Sequence, residues 1–99
     1  MTTYIMLTRL SPEAVTRPGA IAELGKAVAE TLRSQCPEAK WVTSYAVLGG
    51  CDYLDIFEAP DETVASRVAL VIRSLGRATT ETWVATHWHR FRETVGRFS

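Results

Sequence analysis

The amino-acid sequence predicts one α+β domain over residues 1–99, with a four-stranded antiparallel sheet and two helices on one of its faces. Three observations lead to this prediction. The chain has 99 residues, 46% of them hydrophobic and 22% charged, which suits one small domain with its own core. Strand-like and helix-like segments follow one another in the order βαββαβ. A Gly-Gly pair joins the two central strand-like segments, as expected of a hairpin.

The first half of this pattern is a strand followed by a helix. Thr3–Thr8 is a run of β-branched, aromatic and aliphatic residues that ends before Ser11-Pro12, which is typical of a strand. A helix is predicted next, because apolar residues recur at spacings of three and four until Pro37 closes the segment. These residues are Ile21, Leu24, Val28 and Leu32.

The second half is a hairpin, a helix and a last strand. Lys40–Leu48 and Tyr53–Ala59 are the strand-like runs of the hairpin, and Thr79–Trp88 is predicted to be the fourth strand. Between them Asp61 is placed to cap a helix and Gly76 to end it. The predicted buried stripe of this helix is Val64, Val68, Val71, Ile72 and Leu75. The basic tail His89–Phe98 is compatible with a short last helix.

This order of elements is that of the ferredoxin-like βαββαβ sandwich, in which the first strand lies between the third and the fourth. Alternation along the strands predicts an aliphatic face beneath the helices. It consists of Ile5, Leu7, Val42, Ala46, Leu48, Leu54, Ile56 and Val84. The uncovered side, here called the open face, is predicted to carry Tyr4, Met6, Trp41, Tyr45, Val47, Tyr53, Phe57 and Trp83, with Asp55, Glu81 and His87 among them.

So many aromatic side chains are costly to leave in water, at about 25 cal/mol per Å² of apolar surface. We therefore expect a second copy of the chain to cover the open face, which makes the protein a homodimer or a higher oligomer.

The hairpin and its surroundings resemble the GYD domain family. The resemblance is carried by residues 49–52 (GGCD), 56–62 (IFEAPDE), 74–76 (SLG) and 80–82 (TET), and Thr3–Thr8 is similar to the first strand of that family. It extends over nearly the whole chain. It implies a ferredoxin-like fold of the dimeric α/β-barrel kind, in small bacterial or archaeal proteins whose activity is mostly unassigned.

Two positions depart from the family pattern. Cys51 stands where the Tyr that names the family is usual, and Asp55 lies where an apolar strand residue is usual. Asp55 is the more unusual, because a carboxylate suits a strand interior poorly and is costly to bury unpaired. The strand order predicts that Tyr4 and Met6 lie between Asp55 and His87. If His87 lies within reach of Asp55, the two side chains can act as a general base or as a pH-sensitive hydrogen-bonding pair. The alternative is a structural polar contact at the interface of a dimer.

The candidate ligand-binding residues all belong to the predicted open face. They are Tyr4, Met6, Tyr45, Asp55, Phe57, Glu81, Trp83 and His87. Trp83 is expected to form an aromatic wall with Glu81 as a hydrogen-bond acceptor beside it. Plain packing is the alternative for the aromatic residues, since they bury the largest area per side chain.

No metal and no cofactor is expected. His87 and His89 have a spacing that can supply two ligands, but a third and a fourth ligand are not apparent. Cys36 and Cys51 lack a C-x-x-C pattern and are expected to be reduced thiols, and Cys51 is reactive only if it is exposed. Asp52 is expected to cap the hairpin turn through its own backbone.

Charge and sequence patterns exclude several classes of protein. Eleven Lys and Arg balance eleven Asp and Glu, so no strong field attracts nucleic acid. The chain shows no export signal and no long apolar run, so a cytoplasmic protein without a membrane partner is expected. Neither a nucleotide-binding glycine loop nor a nucleophile elbow is present.

Two functional classes remain. The first is a homo-oligomeric module that binds a small molecule in a cavity on the open face, for binding or regulation. The second is a cofactor-independent oxygenase or isomerase acting on an aromatic or polyketide-like molecule, by analogy with other dimeric α/β barrels. The discriminating feature is whether Asp55 and His87 face an open cavity or a closed seam.

Overall fold

A computed structural model describes residues 1–12, 17–75 and 77–97, which form a four-stranded antiparallel sheet and three helices. In chain order the elements are β1 (Thr2–Leu10), α1 (Pro18–Gln35), β2 (Lys40–Ala46), β3 (Tyr53–Ala59), α2 (Glu62–Leu75), β4 (Ala78–Ala85) and α3 (Trp88–Gly96). The predicted α+β, ferredoxin-like fold is confirmed, with α3 as an additional helix. Gly76 and Phe98, which the sequence placed at the ends of two helices, lie outside the described residues.

The strands are ordered β2-β3-β1-β4, so β1 lies between β3 and β4 as predicted. Tyr4 of β1 pairs with Phe57 of β3 on one side and with Val84 of β4 on the other. Directly paired residues of antiparallel strands point to the same face of the sheet. The register therefore places Tyr4, Phe57 and Val84 on one face.

This face packs against α2 and forms the hydrophobic core. Phe57, Met6 and Val68 are the largest fully buried side chains. Phe57 lies at the centre, with the ring of Tyr4 stacked at 5.5 Å on one side and the ring of Trp41 at 5.1 Å on the other. The buried residues of α2 are small or branched: Val64, Ala65, Val68, Ala69 and Ile72. Large side chains of the sheet thus fill the space that the small side chains of α2 leave.

The prediction of which face the helices cover is wrong for β1 and β3. Tyr4, Met6 and Phe57 are buried beneath α2 and do not lie on the open face. The aliphatic residues Ile5, Leu7, Leu54 and Ile56 occupy the open face and are partly exposed. The physical reason is the size of the rings, because Tyr4 and Phe57 fill the space above the Val and Ala residues of α2 better than the smaller aliphatic residues. Met6 lies two residues after Tyr4 and therefore points to the same face.

A β-bulge makes β2 change face along its length. The register with β3 shifts between Trp41 and Thr43, which leaves Val42 as the extra residue. Trp41 therefore stacks on Phe57 on the helix-facing side of the sheet, contrary to prediction, although it remains 39% exposed. Tyr45 pairs with Leu54 on the open face. Without the bulge, residues four apart in a strand would point to the same side.

The predicted cap of α2 is confirmed, because Asp61 Oδ1 accepts a hydrogen bond from the Val64 N–H at 3.1 Å. Leu75 is 40% exposed and does not belong to the buried stripe. The role predicted for Asp52 is wrong. Its Oδ2 accepts a hydrogen bond from the Leu10 N–H at 2.8 Å, so this side chain ties the hairpin to the end of β1.

The helix α1 lies farther from the core than α2. None of its residues, all of which the structure describes, is buried. Its predicted apolar stripe is only partly covered, and of that stripe Val28 and Leu32 pack against the buried core. Ile21 and Leu24, in the first half of the helix, are not part of this packing. The helix thus forms a roof over the sheet, held mainly at its C-terminal half.

The helix α3 begins at Trp88, which the sequence had placed at the end of the fourth strand. No residue of α3 is buried, and its large apolar side chains are exposed. They are Trp88, Phe91 and Val95.

Replacing Gly25 in the middle of α1 by Ala is expected to stabilise the protein by about 0.5–1 kcal/mol, since Gly is the poorer helix former. A Cβ at Gly25 has no described atom within 4 Å. Urea unfolding measures the difference. Gly49→Ala is the contrasting variant, because Gly49 has a φ of 157° that L-residues rarely adopt, and it is expected to destabilise. Equal effects of the two variants would contradict the placement of Gly25 within a regular helix.

Candidate functional site

A cavity of about 790 Å³ lies between α1 and the helix-facing side of the sheet. This volume is within the range of roughly 300–1,000 Å³ found for small-molecule sites. Its roof is the apolar stripe of α1, which comprises Ile21, Leu24, Val28 and Leu32. Its floor is formed by strand residues, namely Thr8, Trp41, Ser44, Tyr53 and Asp55. The cavity thus combines an apolar roof with a floor that contains rings and polar groups.

Neutral hydrogen-bond donors surround the carboxylate of Asp55. Ser44 pairs with Asp55 across β2 and β3, and its Oγ donates a hydrogen bond to Asp55 Oδ1 at 2.5 Å. The indole Nε1 of Trp41 in turn donates to Ser44 Oγ at 2.8 Å. Because the bulge turns Trp41 to the helix-facing side, Trp41, Ser44 and Asp55 form a chain of two hydrogen bonds.

Burial raises the pKa of Asp55, and the hydrogen bonding of Ser44 and Trp41 lowers it only in part. No ion pair joins Asp55 to a basic side chain in the described part of the chain. Burial also raises the pKa of the neighbouring Tyr53 phenol, with a further contribution from the charges of Asp52 and Asp55. The floor of the cavity thus holds a carboxylate whose negative charge no described residue compensates.

The hydroxyl of Thr8 is the second unusual group in the cavity. Thr8 is 3% exposed, and its Oγ1 has no hydrogen-bond partner among the described residues. It pairs with Tyr53 and is therefore a diagonal neighbour of Asp55 on the same face of the sheet. Ser11 Oγ, outside this cavity, is buried without a partner as well, so both hydroxyls carry a cost in free energy of folding.

Cys36 lies at the rim, where α1 ends. Its side chain is buried, and burial raises the pKa of the thiol, although the charge of Arg67 lowers it and that of Glu38 raises it further. Arg67 is paired with Glu38 at 3.6 Å. Cys36 and the partly exposed Cys51 are both free thiols. A thiol with a raised pKa is a weak nucleophile at neutral pH, so Cys36 contributes to the wall of the cavity.

The family model of the GYD domain matches residues 4–95 of the chain. The chain belongs to the GYD domain family. Among solved structures, the GYD chain is similar to the leucine response regulatory protein LrpA of Mycobacterium tuberculosis, with a TM-score of 0.59 and 13% identity. The match covers 87% of this chain and 51% of the regulator, so the GYD chain spans about half of that protein and has the fold of the matched half. No curated protein matches the sequence.

The GYD chain does not bring the eight predicted site residues together. Asp55 alone of the eight lines the cavity between α1 and the sheet. Tyr4, Met6 and Phe57 share its face but are buried in the core. Tyr45, Glu81 and Trp83 lie on the open face, where Trp83 Nε1 donates a hydrogen bond to Glu81 Oε1 at 2.9 Å. Trp83 and Glu81, predicted to be an aromatic wall and a hydrogen-bond acceptor, are thus adjacent, but neither lines this cavity.

The predicted contact between Asp55 and His87 is absent from the described structure. Asp55 pairs with Met6, which pairs with Thr82, whereas His87 is five residues farther along and precedes α3. His87 Nδ1 lies 2.8 Å from His89 Nδ1, so one imidazole donates to the other. Among the described residues no group of three or more metal-ligating side chains occurs. In the same part of the chain no helix is sufficiently long and apolar to span a bilayer.

Sequence reasoning missed four residues of the cavity floor, which are Thr8, Trp41, Ser44 and Tyr53. One signal was available, because Ser44 and Asp55 are polar residues near the middle of the two strands of one hairpin. Counting both strands outward from the turn would have placed them near one another.

Asp55→Asn is expected to raise the stability of the GYD chain at pH 7, since it removes an uncompensated charge and keeps the acceptor for Ser44. The raised pKa means that Asp55 is least costly below its ordinary value of 3.8, and that this benefit is lost as pH rises through the raised pKa. The advantage of the Asn variant should therefore vanish on acidification. Thermal unfolding between pH 3 and pH 8 measures it.

Glu30→Gln, which removes an exposed carboxylate of α1 outside the cavity, is the matched control and should change stability little at any pH. An Asn variant less stable than the native chain at pH 7 would contradict the assignment of an uncompensated charge to Asp55.

Proposed function

We propose that this GYD-domain protein is a small-molecule-binding module with a regulatory role, and that its ligand occupies the cavity between α1 and the sheet. The observation that supports the proposal most is a cavity of about 790 Å³ whose floor holds a half-buried carboxylate, that of Asp55, without an ion-pair partner among the described residues. The site lies on the helix side of the sheet and not on the open face, where the sequence had placed it.

The lining favours a mostly apolar molecule that contains a ring. The roof offers the aliphatic side chains of α1, and the floor offers the aromatic rings of Trp41 and Tyr53. Small-molecule sites commonly combine such walls with a few polar groups that fix the orientation of the ligand. Asp55 is suited to that second role.

The position of α1 supports a regulatory role. Because the first half of α1 lacks contacts with the buried core, a ligand beneath it would link this helix to the sheet. The Mycobacterium tuberculosis neighbour is named as a response regulatory protein, and regulation by a bound small molecule is the corresponding proposal for this chain.

Binding is favoured over the alternative of a cofactor-independent oxygenase or isomerase. That alternative relied on an acid–base pair formed by Asp55 and His87, and the register separates these two residues. The group that hydrogen-bonds to Asp55 Oδ1 is the hydroxyl of Ser44, which is a poor general acid or base.

Self-association through the open face is the second part of the proposal. Ile5, Leu7 and Ile56 form an apolar centre on this face, and Tyr45 and Trp83 beside them are 58% and 48% exposed. A second copy of the chain would cover this area by packing sheet against sheet. Because the cavity lies on the other side of the sheet, assembly and ligand binding would use separate surfaces.

Filling the cavity is expected to abolish ligand uptake. Leu24→Trp places a ring in the roof and should weaken binding of the neutral dye N-phenyl-1-naphthylamine at least about tenfold, which corresponds to about 1.4 kcal/mol. Lys26→Trp adds the same ring on the exposed side of α1 and should leave binding unchanged. Fluorescence titration measures both. Unchanged dye binding by the Leu24 variant would refute the cavity as the binding site.

Charge on the open face is expected to prevent self-association. Tyr45→Asp should give a monomer of about 11.0 kDa in sedimentation equilibrium at micromolar concentration, because an interface would bury the new charge unpaired. Leu70→Asp is the matched control, since Leu70 is 60% exposed on α2, and this variant should associate like the native chain. Phe57→Asp is not a test of assembly, because Phe57 is in the core and its replacement should unfold the chain. A native chain that is monomeric at this concentration would rule out self-association through the open face.

A further inference from the structure

We propose that the ligand of the cavity is an organic cation, a protonated amine on an apolar body that contains a ring, with its nitrogen bound by Asp55. This inference rests on the proposed function, because it requires that the cavity binds a small molecule.

The uncompensated charge of Asp55 is the first argument. Its hydrogen-bonding neighbours are the hydroxyl of Ser44 and the indole of Trp41, and both are neutral. The ion pairs in the described part of the chain join Arg17 to Glu23 and Arg67 to Glu38, and neither includes Asp55. A carboxylate in an apolar cavity is costly unless an opposite charge pairs with it. A neutral ligand would complete the hydrogen bonds but leave the charge unpaired.

The other groups around the cavity also favour a positive charge. The rings of Trp41 and Tyr53 line the floor next to Asp55, and aromatic faces attract cations. The C-terminal end of α1 lies at the rim near Cys36, where a helix carries partial negative charge. Arg33 is the one basic side chain among the described lining residues, and it is exposed on α1, opposite the floor.

The hydrogen-bonding capacity of Asp55 also suits an ammonium group. Ser44 Oγ donates one hydrogen bond to Asp55 Oδ1, and a carboxylate can accept about four. A protonated primary amine has three N–H donors, so it can supply both further hydrogen bonds and the opposite charge. The Thr8 hydroxyl on the same face has no accessible surface and is not a contact of the ligand.

The test compares three probes that share one ring and differ in charge: 2-phenylethylamine, 2-phenylethanol and 3-phenylpropanoate. Each is titrated at pH 7 into the native chain, into Asp55→Asn and into the control Glu30→Gln, and backbone amide shifts in α1 and β3 are followed by NMR. We expect the amine to bind the native chain about tenfold more tightly than the alcohol, as for a hydrogen bond to a charged group. The carboxylate should bind least.

The preference for the amine should be lost in Asp55→Asn and kept in Glu30→Gln. The inference is overturned if the native chain binds the alcohol as tightly as the amine, if it prefers the carboxylate, or if the Asn variant keeps the preference. Binding of the alcohol with amide shifts around the cavity would leave the proposed function standing while the cation is rejected. Absence of any shift with all three probes also rejects the cation, and dye binding by Leu24→Trp then decides the proposed function separately. The comparison of probes on the native chain needs no variant to fold.

Discussion

The packing of three large sheet residues against the small face of α2 is the interaction on which the rest of the structure depends. Phe57, Met6 and Tyr4 are buried there, in one hydrophobic cluster with Val68 and Ala65 of the helix. This contact fixes which face of β1 and β3 is inside. The aliphatic character of the open face on β1 and β3 follows from that choice of face, because successive side chains of a strand alternate between the two faces.

The same contact explains why α1 lies apart from the sheet. The part of the inner face below α1 carries the polar groups of Thr8, Ser44 and Asp55 beside the rings of Trp41 and Tyr53. The stripe of α1 therefore has no continuous apolar surface to pack against, and a cavity separates the two layers. The hydrophobic core and the candidate site are neighbouring regions of one face, distinguished by the residues that β1 and β3 place there.

The element order and its principal signals could be predicted from the sequence, because they depend on local patterns. The period of α1, the hairpin after Gly49-Gly50 and the cap at Asp61 all belong to this class. The inner face of β1 could not be predicted, since Ile5 and Leu7 are as apolar as Tyr4 and Met6. When both faces of a strand are apolar, the alternation of side chains does not show which face is buried. For β1 this is settled by its packing against α2.

Asp55 shows how far a single unusual residue can direct a site prediction. A carboxylate in a strand interior is unusual, and this one lines the cavity between α1 and the sheet. The predicted partner of Asp55, His87, does not lie near it. The prediction placed His87 on a continuous fourth strand, whereas β4 ends at Ala85. The bulge at Val42 brings Trp41 to the site, and it could not be predicted from the pattern of hydrophobic residues in β2.

The attachment of α1 has a consequence for its dynamics. Val28 and Leu32 hold the second half of the helix to the core, but Ile21 and Leu24 face the cavity. Local unfolding of the first half therefore exposes no residue of the buried core and costs much less than global unfolding. Fraying of this half would widen the access to the cavity without disturbing the core. Gly25, at the boundary of the two halves, is a poor helix former and weakens the helix there.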